Sequence, residues 1–169
     1  DPNRIAAGGG SAGGHLAAAI GTLQGFDAEG EDTSISSVPN ALVLFNPAVI
    51  LAPIDNVLEM DKKRKDDLTE RMGVKLERLS PYHNVHQNVP PTIIFHGKAD
   101  TTVPYQSVEL FNEIMHQQDN TCQLVGYPDG KHGFFNYGKG DNIAYLDTVH
   151  RMDVFLGSYG FLKGEPKMD

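Results

Sequence analysis

The chain is 169 residues long, with 40% hydrophobic and 21% charged residues and a formal net charge of -8. That length suits one domain with a real core rather than two, and the acidic balance excludes a nucleic-acid partner, whose phosphates need a clustered basic surface. The single cysteine, Cys122, excludes an intramolecular disulfide framework, no metal-finger ligand spacing occurs, and no apolar run approaches the ~20 residues that span a bilayer.

The sequence opens Asp1-Pro2-Asn3 and then runs quickly to a serine in a glycine-rich setting. This reads as a chain shortened at its front, so any targeting signal lies outside it and the compartment stays unknown. Residues 4–7 form a short apolar run that leads into Gly8-Gly9-Gly10 and then Ser11-Ala12-Gly13-Gly14. From His15 an Ala-rich stretch predicts a helix that Gly25 stops. The local pattern is strand, tight turn, helix. Residues 27–40 are acidic and polar and read as a surface loop.

Ala41-Leu42-Val43-Leu44-Phe45 is a continuous apolar run, as expected of a strand buried on both faces, and Asn46-Pro47 ends it. Residues 55–79 are highly charged, with Leu68, Met72, Leu76 and Leu79 at helical intervals. They predict one or two short helices covering an edge or a site, and the basic run at 62–65 reads as a solvated helix face. Thr92-Ile93-Ile94-Phe95 is a second buried strand, introduced by Pro90-Pro91. Residues 106–118 predict a helix with Val108, Phe111 and Met115 on one face. Cys122–Tyr127 predicts a third buried strand, with Cys122 as a small core residue. Residues 142–159 predict an amphipathic helix through Ile143, Leu146, Val149, Val154 and Leu156. Strands alternating with helices point to a mostly parallel sheet of α/β type.

Three residues stand where chemistry is expected. Gly9-Gly10-Ser11-Ala12-Gly13 has the form G-x-S-x-G, in which a serine between strand and helix takes a strained turn that only small neighbours permit. The N-terminus of the following helix offers an oxyanion the backbone N–H of Ala12. A phosphate-binding loop is the competing reading, but no Gly-Lys-Ser/Thr follows. A serine hydroxyl needs a base, and the base an orienting carboxylate. Asp100 lies just past the strand that ends near Phe95, and His132 lies just past the strand that ends at Tyr127. Both are at the C-terminal ends of predicted parallel strands, where sites form in such sheets, and the order Ser, Asp, His is that of the G-x-S-x-G fold. Taken alone, Asp100 reads equally as a turn or capping residue, and His132 as an exposed loop histidine. Asp129 is a rival acid in a turn. His15, His83, His86, His96 and His116 read as structural or exposed, with His96 bracing the Asp100 loop.

Asp1-Pro2-Asn3-Arg4-Ile5 and Gly10-Ser11-Ala12-Gly13-Gly14-His15-Leu16-Ala17 resemble the nucleophile-elbow region of the esterase/lipase branch of the α/β-hydrolase superfamily. Ser80-Pro81, Pro90-Pro91-Thr92, His96-Gly97-Lys98-Ala99-Asp100 with Val103-Pro104, and Lys131-His132-Gly133-Phe134 resemble its later blocks in order and spacing. The resemblance covers essentially the whole chain. It implies a serine esterase acting on small acyl esters, acetylated sugars among them, through an acyl-enzyme intermediate. Ser11 is then nucleophile, Asp100 acid and His132 base, and no cofactor or metal is used. A serine exopeptidase of the prolyl-oligopeptidase type shares these blocks and stays open as an alternative, as does a truncated, non-catalytic fragment. The family's upstream His-Gly-Gly-type loop, which donates further oxyanion N–H groups, and the strands that precede the elbow have no counterpart in these 169 residues. The expected fold is therefore a partial α/β-hydrolase: residues 1–169 are the C-terminal part of a single domain, with a small helical insertion at about 55–80. Its first strand is left as an edge through which the chain is expected to self-associate. The chain alone is expected to have little activity.

Overall fold

The short apolar runs become strands and the stretches between them become helices, in a computed structural model that describes residues 1–166. In chain order these are β1 (Ala6–Gly10), α1 (Ala12–Thr22), β2 (Ala41–Phe45), α2 (Lys62–Met72), β3 (Thr92–Gly97), α3 (Tyr105–Gln117), β4 (Cys122–Tyr127) and α4 (Ile143–Ser158). Single 3-10 turns lie at Leu76–Arg78, Pro81–Asn84 and Gly140–Asn142. All four strands pair in parallel, in the order β1-β2-β3-β4, with Gly10 beside Phe45 and Gly97 beside Tyr127.

The period-2 alternation of a strand divides the core between the two faces of this sheet. Leu42, Leu44 and Ile94 pack on one face with Ala17 and Ala18 of α1 and with Val108, Phe111 and Met115 of α3. Ala41, Val43, Ile93 and Phe95 pack on the other with Phe134 and with Phe155 of α4. Each such large apolar side chain contributes about 1.5–3 kcal/mol through burial, so the central strands anchor the fold. Because all four strands run the same way, their C-terminal ends open on one side of the molecule, and the loops carrying residues 11, 46, 100 and 132 gather there.

Several boundaries and faces differ from the sequence reading. β1 begins at Ala6 and runs through the three glycines. Gly8 is drawn in because a Cβ there would lie 2.9 Å from the Val43 carbonyl oxygen. Helix α1 starts at Ala12 and ends at Thr22, because Leu23 already has extended backbone, before Gly25 is reached. β4 is an edge strand and only Cys122 in it is fully buried, since no further strand covers its outer side among the described residues. In α4 the helix is as expected and Leu156 packs on the core as expected, but the rest of the buried face differs. Ile143, Leu146 and Val154 are exposed, while Thr148 and Phe155 are buried and Ala144 and Met152 pack beside Phe155. Positions 144, 148, 152 and 155 follow a helical stripe as regular as the apolar one, and docking on the sheet selects it. Helix α2, within residues 55–80, packs against the Leu76–Arg78 turn, with Lys62 and Lys63 in solvent. No helix among the described residues is long and apolar enough to cross a membrane.

Candidate active site

Ser11 is the single residue between the end of β1 and the start of α1, and it has φ 54° and ψ -117°. A left-handed φ at a non-glycine residue costs on the order of 1–3 kcal/mol and persists only where its surroundings over-determine it. They do so here. The Ser11 N–H donates to the Phe45 carbonyl at 2.9 Å, and the His15 N–H donates to the Ser11 carbonyl at 3.0 Å. The chain reverses so tightly that a Cβ on Gly9 would stand 2.6 Å from the carbonyl carbon of Gly13. Glycine at this position is a requirement of space. Ala12 is exposed in the first turn of α1, where backbone N–H groups have no acceptor within the helix.

Asp100 follows β3 and is buried. Its Oδ1 accepts the N–H groups of Thr102 at 2.8 Å and Val103 at 3.0 Å, and its Oδ2 accepts Nδ1–H of His132 at 2.7 Å. Burial by itself raises the carboxyl's pKa. The Val103 N–H, His132 and the Thr102 N–H outweigh it, and the group is held below the ordinary carboxylate range. His96, fully buried on β3, donates from Nε2 to the Val103 carbonyl at 2.9 Å and stands 3.5 Å from Asp100 Oδ2. Burial, ahead of the opposing pull of Val103 and Asp100, depresses its pKa, so it braces the Asp100 loop as a neutral ring.

His132 lies in the loop after β4 and is partly exposed. Ser11 Oγ lies 3.0 Å from its Nε2. With Nδ1–H committed to Asp100, Nε2 is the acceptor and Oγ–H the donor. The structure thus brings all three predicted residues into one hydrogen-bonded line, from the ends of three different strands. An imidazole fixed in this tautomer can take the proton of the hydroxyl as Oγ attacks an electrophilic carbon. Asp129 is exposed on the turn before Gly130. Three of the other histidines hold backbone carbonyls: His15 donates from Nε2 to Leu79, His83 to Pro53 while also contacting Ser80 Oγ, and His86 to Gln87. His116 is exposed.

Two features of the site escaped the sequence reading. One is Asn46, whose Oδ1 accepts the N–H of Gly133 beside the histidine. The other is the seating of Gly97 against Gly130, which joins the two loops that carry Asp100 and His132. Glycines flanking two predicted strand ends were the available signal for the second. His132 lines a cavity of about 500 Å³ with Tyr127, Gly130 and Phe134 among others, and a second cavity, of about 210 Å³, is lined by Ala48, Ile50, Leu51, Leu58, Val103 and Pro104 among others. The N–H of Ala48 donates to the Ser11 carbonyl at 3.4 Å, and that of Val103 to Asp100, so the second cavity shares its walls with both loops. Cys122 is remote from it in the core, where burial pushes its thiol up to about 12.

Comparison with known proteins gives the geometry a context. The BD-FAE family model matches residues 1–115, and that of the dienelactone hydrolase family matches residues 73–159. Esterase LipC of Mycobacterium tuberculosis is 30% identical over 92% of this chain and 40% of its own length. An acetylxylan esterase of Xylanibacter ruminicola is 27% identical over 88% of this chain and 29% of its own. Among solved structures, a thermophilic esterase from the Planctomycetes species Thermogutta terrifontis superposes with a TM-score of 0.88 at 45% identity, covering 99% of this chain and 59% of that one. That esterase is also known with butyrate bound and phosphonylated by sarin. The chain therefore spans 40% of the length of the first of these curated relatives and 59% of the solved esterase.

Proposed function

The chain belongs to the α/β-hydrolase superfamily, through its BD-FAE and dienelactone hydrolase family matches, and from that membership we propose that it is the triad-bearing part of a serine esterase. The observation that carries the proposal is the unbroken line from Asp100 Oδ2 through His132 to Ser11 Oγ, at 2.7 and 3.0 Å. His132 Nε2 takes the Ser11 proton as Oγ attacks the ester carbonyl, and Asp100 stabilises the imidazolium that forms. Collapse of the tetrahedral intermediate breaks the ester C–O bond, and the alcohol leaves with the proton from His132. Water, deprotonated by the same ring, then releases the carboxylic acid. The Ala12 N–H stabilises the oxyanion in both halves. The family resemblance assigns the remaining donors to an upstream loop, and one such donor is worth about 3 kcal/mol.

The substrate is a small ester. A wall cavity of about 210 Å³ beside the Thr102–Val103 turn offers apolar walls that suit a short acyl or alcohol group. The relatives named as an acetylxylan esterase and as a butyrate-bound esterase favour the same size class. Residues 1–169 form the C-terminal part of one hydrolase domain, with residues 55–80 as a helical insertion beside the site; positions 167–169 lie outside the described residues. The free edge of β1, which pairs only with β2 among the described residues, makes the chain self-associate with a second copy. Exposed Ile5, on the approach to β1, adds apolar surface there.

A fluorophosphonate probe tests the nucleophile. The complete protein, upstream loop included, is expected to be labelled at Ser11, and Ser11→Ala is expected to lose both labelling and hydrolysis of p-nitrophenyl acetate. Labelling that persists in Ser11→Ala overturns the proposal.

A further inference from the structure

We infer that Asn46 is a positioning residue for His132, acting through the backbone of Gly133; the inference rests on the esterase reading above. Asn46 is the first residue past β2 and is 1% exposed. Its φ is 34°, a left-handed value that asparagine tolerates better than other side-chain-bearing residues. Its N–H donates to the Phe95 carbonyl at 2.8 Å, which ties the turn to β3. From there Oδ1 reaches across to accept the N–H of buried Gly133 at 2.9 Å.

The neighbours of Asn46 hold the other partner of the reaction. The Phe45 carbonyl accepts the Ser11 N–H at 2.9 Å, and the Ala48 N–H donates to the Ser11 carbonyl at 3.4 Å. Residues 45–48 thus clasp the nucleophile turn by main chain while Asn46 clasps the histidine loop by side chain. Nucleophile and base are gauged against one short segment. Gly133 itself has φ 72° in a turn closed by the Phe134 N–H on the Lys131 carbonyl at 3.0 Å, and its own N–H is taken by Asn46. Without the Oδ1 acceptor a buried N–H is left unpaired beside His132, and the loop relaxes to pair it elsewhere. The imidazole then drifts from Ser11 Oγ, which slows proton transfer and leaves the substrate cavity as it was. A displacement of the order of 1 Å in such a contact lowers turnover roughly 100-fold.

Two variants separate the acceptor from the backbone. Asn46→Gly keeps the left-handed turn and removes Oδ1, whereas Asn46→Asp keeps an acceptor and tolerates the turn. With p-nitrophenyl acetate and a fluorophosphonate probe, Asn46→Gly is expected to lose about 10- to 100-fold in kcat and in labelling rate, with KM changed less than about threefold. Asn46→Asp is expected to recover a large part of that loss. If Asn46→Gly does not fold, Asn46→Ser, whose hydroxyl is too short to reach the Gly133 N–H, decides by the same two numbers. Turnover within about twofold of the parent, or a rise in KM that accounts for the whole defect, overturns the inference. Turnover that survives in Ser11→Ala shows that the esterase reading itself has failed. Turnover lost in Ser11→Ala but kept in Asn46→Gly shows that the role of Asn46 alone has failed.

Discussion

Gly97 and Gly130 meet back to back, so closely that a Cβ on Gly97 would overlap the Gly130 carbonyl. Around this contact the Lys98 N–H donates to the Tyr127 carbonyl at 2.8 Å and the Ala99 N–H to the Gly130 carbonyl at 3.1 Å. The strand ends of β3 and β4 are thereby locked together, and the loops they carry bring Asp100 and His132 to 2.7 Å.

Gly97→Ala is therefore expected to destabilise the fold by about 1–3 kcal/mol through overpacking, and to lower activity by parting Asp100 from His132. Gly157, where an added Cβ meets nothing within 4 Å, is the control. Gly157→Ala in α4 is expected to be neutral or to stabilise by about 0.5–1 kcal/mol. Urea unfolding of both variants measures the difference, and equal midpoints would remove the lock from the account.

Replacing Asp100 by asparagine leaves the shape of the side chain and changes which tautomer of His132 it selects. Turnover is expected to fall about 10³- to 10⁴-fold, with thermal unfolding shifted far less than that loss implies. Steady-state kinetics beside a melting curve check this. Retained activity would move the role of orienting carboxylate elsewhere, with Asp129 the next residue to replace.

Burial depresses the pKa of His96, so the unfolded chain takes up a proton at higher pH than the folded chain does. The stability it contributes is whole above the unfolded value, about 6.5, and is lost as pH falls from there through the lower folded value. The stability contributed by Asp100, whose pKa is also depressed, is whole above the unfolded carboxylate value of about 3.9 and is lost only as pH falls below it. His96→Gln, whose amide can still donate to the Val103 carbonyl, is expected to flatten the stability profile as pH falls below about 6.5. Denaturant titrations across that range provide the measurement. An unchanged slope means that His96 is not the group that titrates.

The free β1 edge predicts association that rises with concentration, and a charge placed beside it should oppose pairing. Sedimentation velocity of the 169-residue chain is expected to show species larger than monomer. Ile5→Lys, at a position 55% exposed, is expected to shift them back. A monomer at every concentration tested would remove self-association from the proposal.

Much of this molecule was legible in its residues because the signals are local. A strand buried on both faces is a run of apolar side chains, as at 41–45 and 92–95, and the turn at Ser11 needs small neighbours within a few positions. Ser11, Asp100 and His132 could be named because each stands just beyond such a run, where a parallel sheet collects its loops. What the tertiary structure alone decided depends on partners far along the chain. The face that α4 buries was set by docking on β3, since Thr148 and Phe155 lie on one helical stripe and the more apolar Ile143 and Val154 on another. Asn46 could be read only as the end of a strand, because the group that gives it a role, the Gly133 N–H, lies 87 positions away. Local propensity specifies which elements form, but a contact between two loops exists only once the sheet between them has closed.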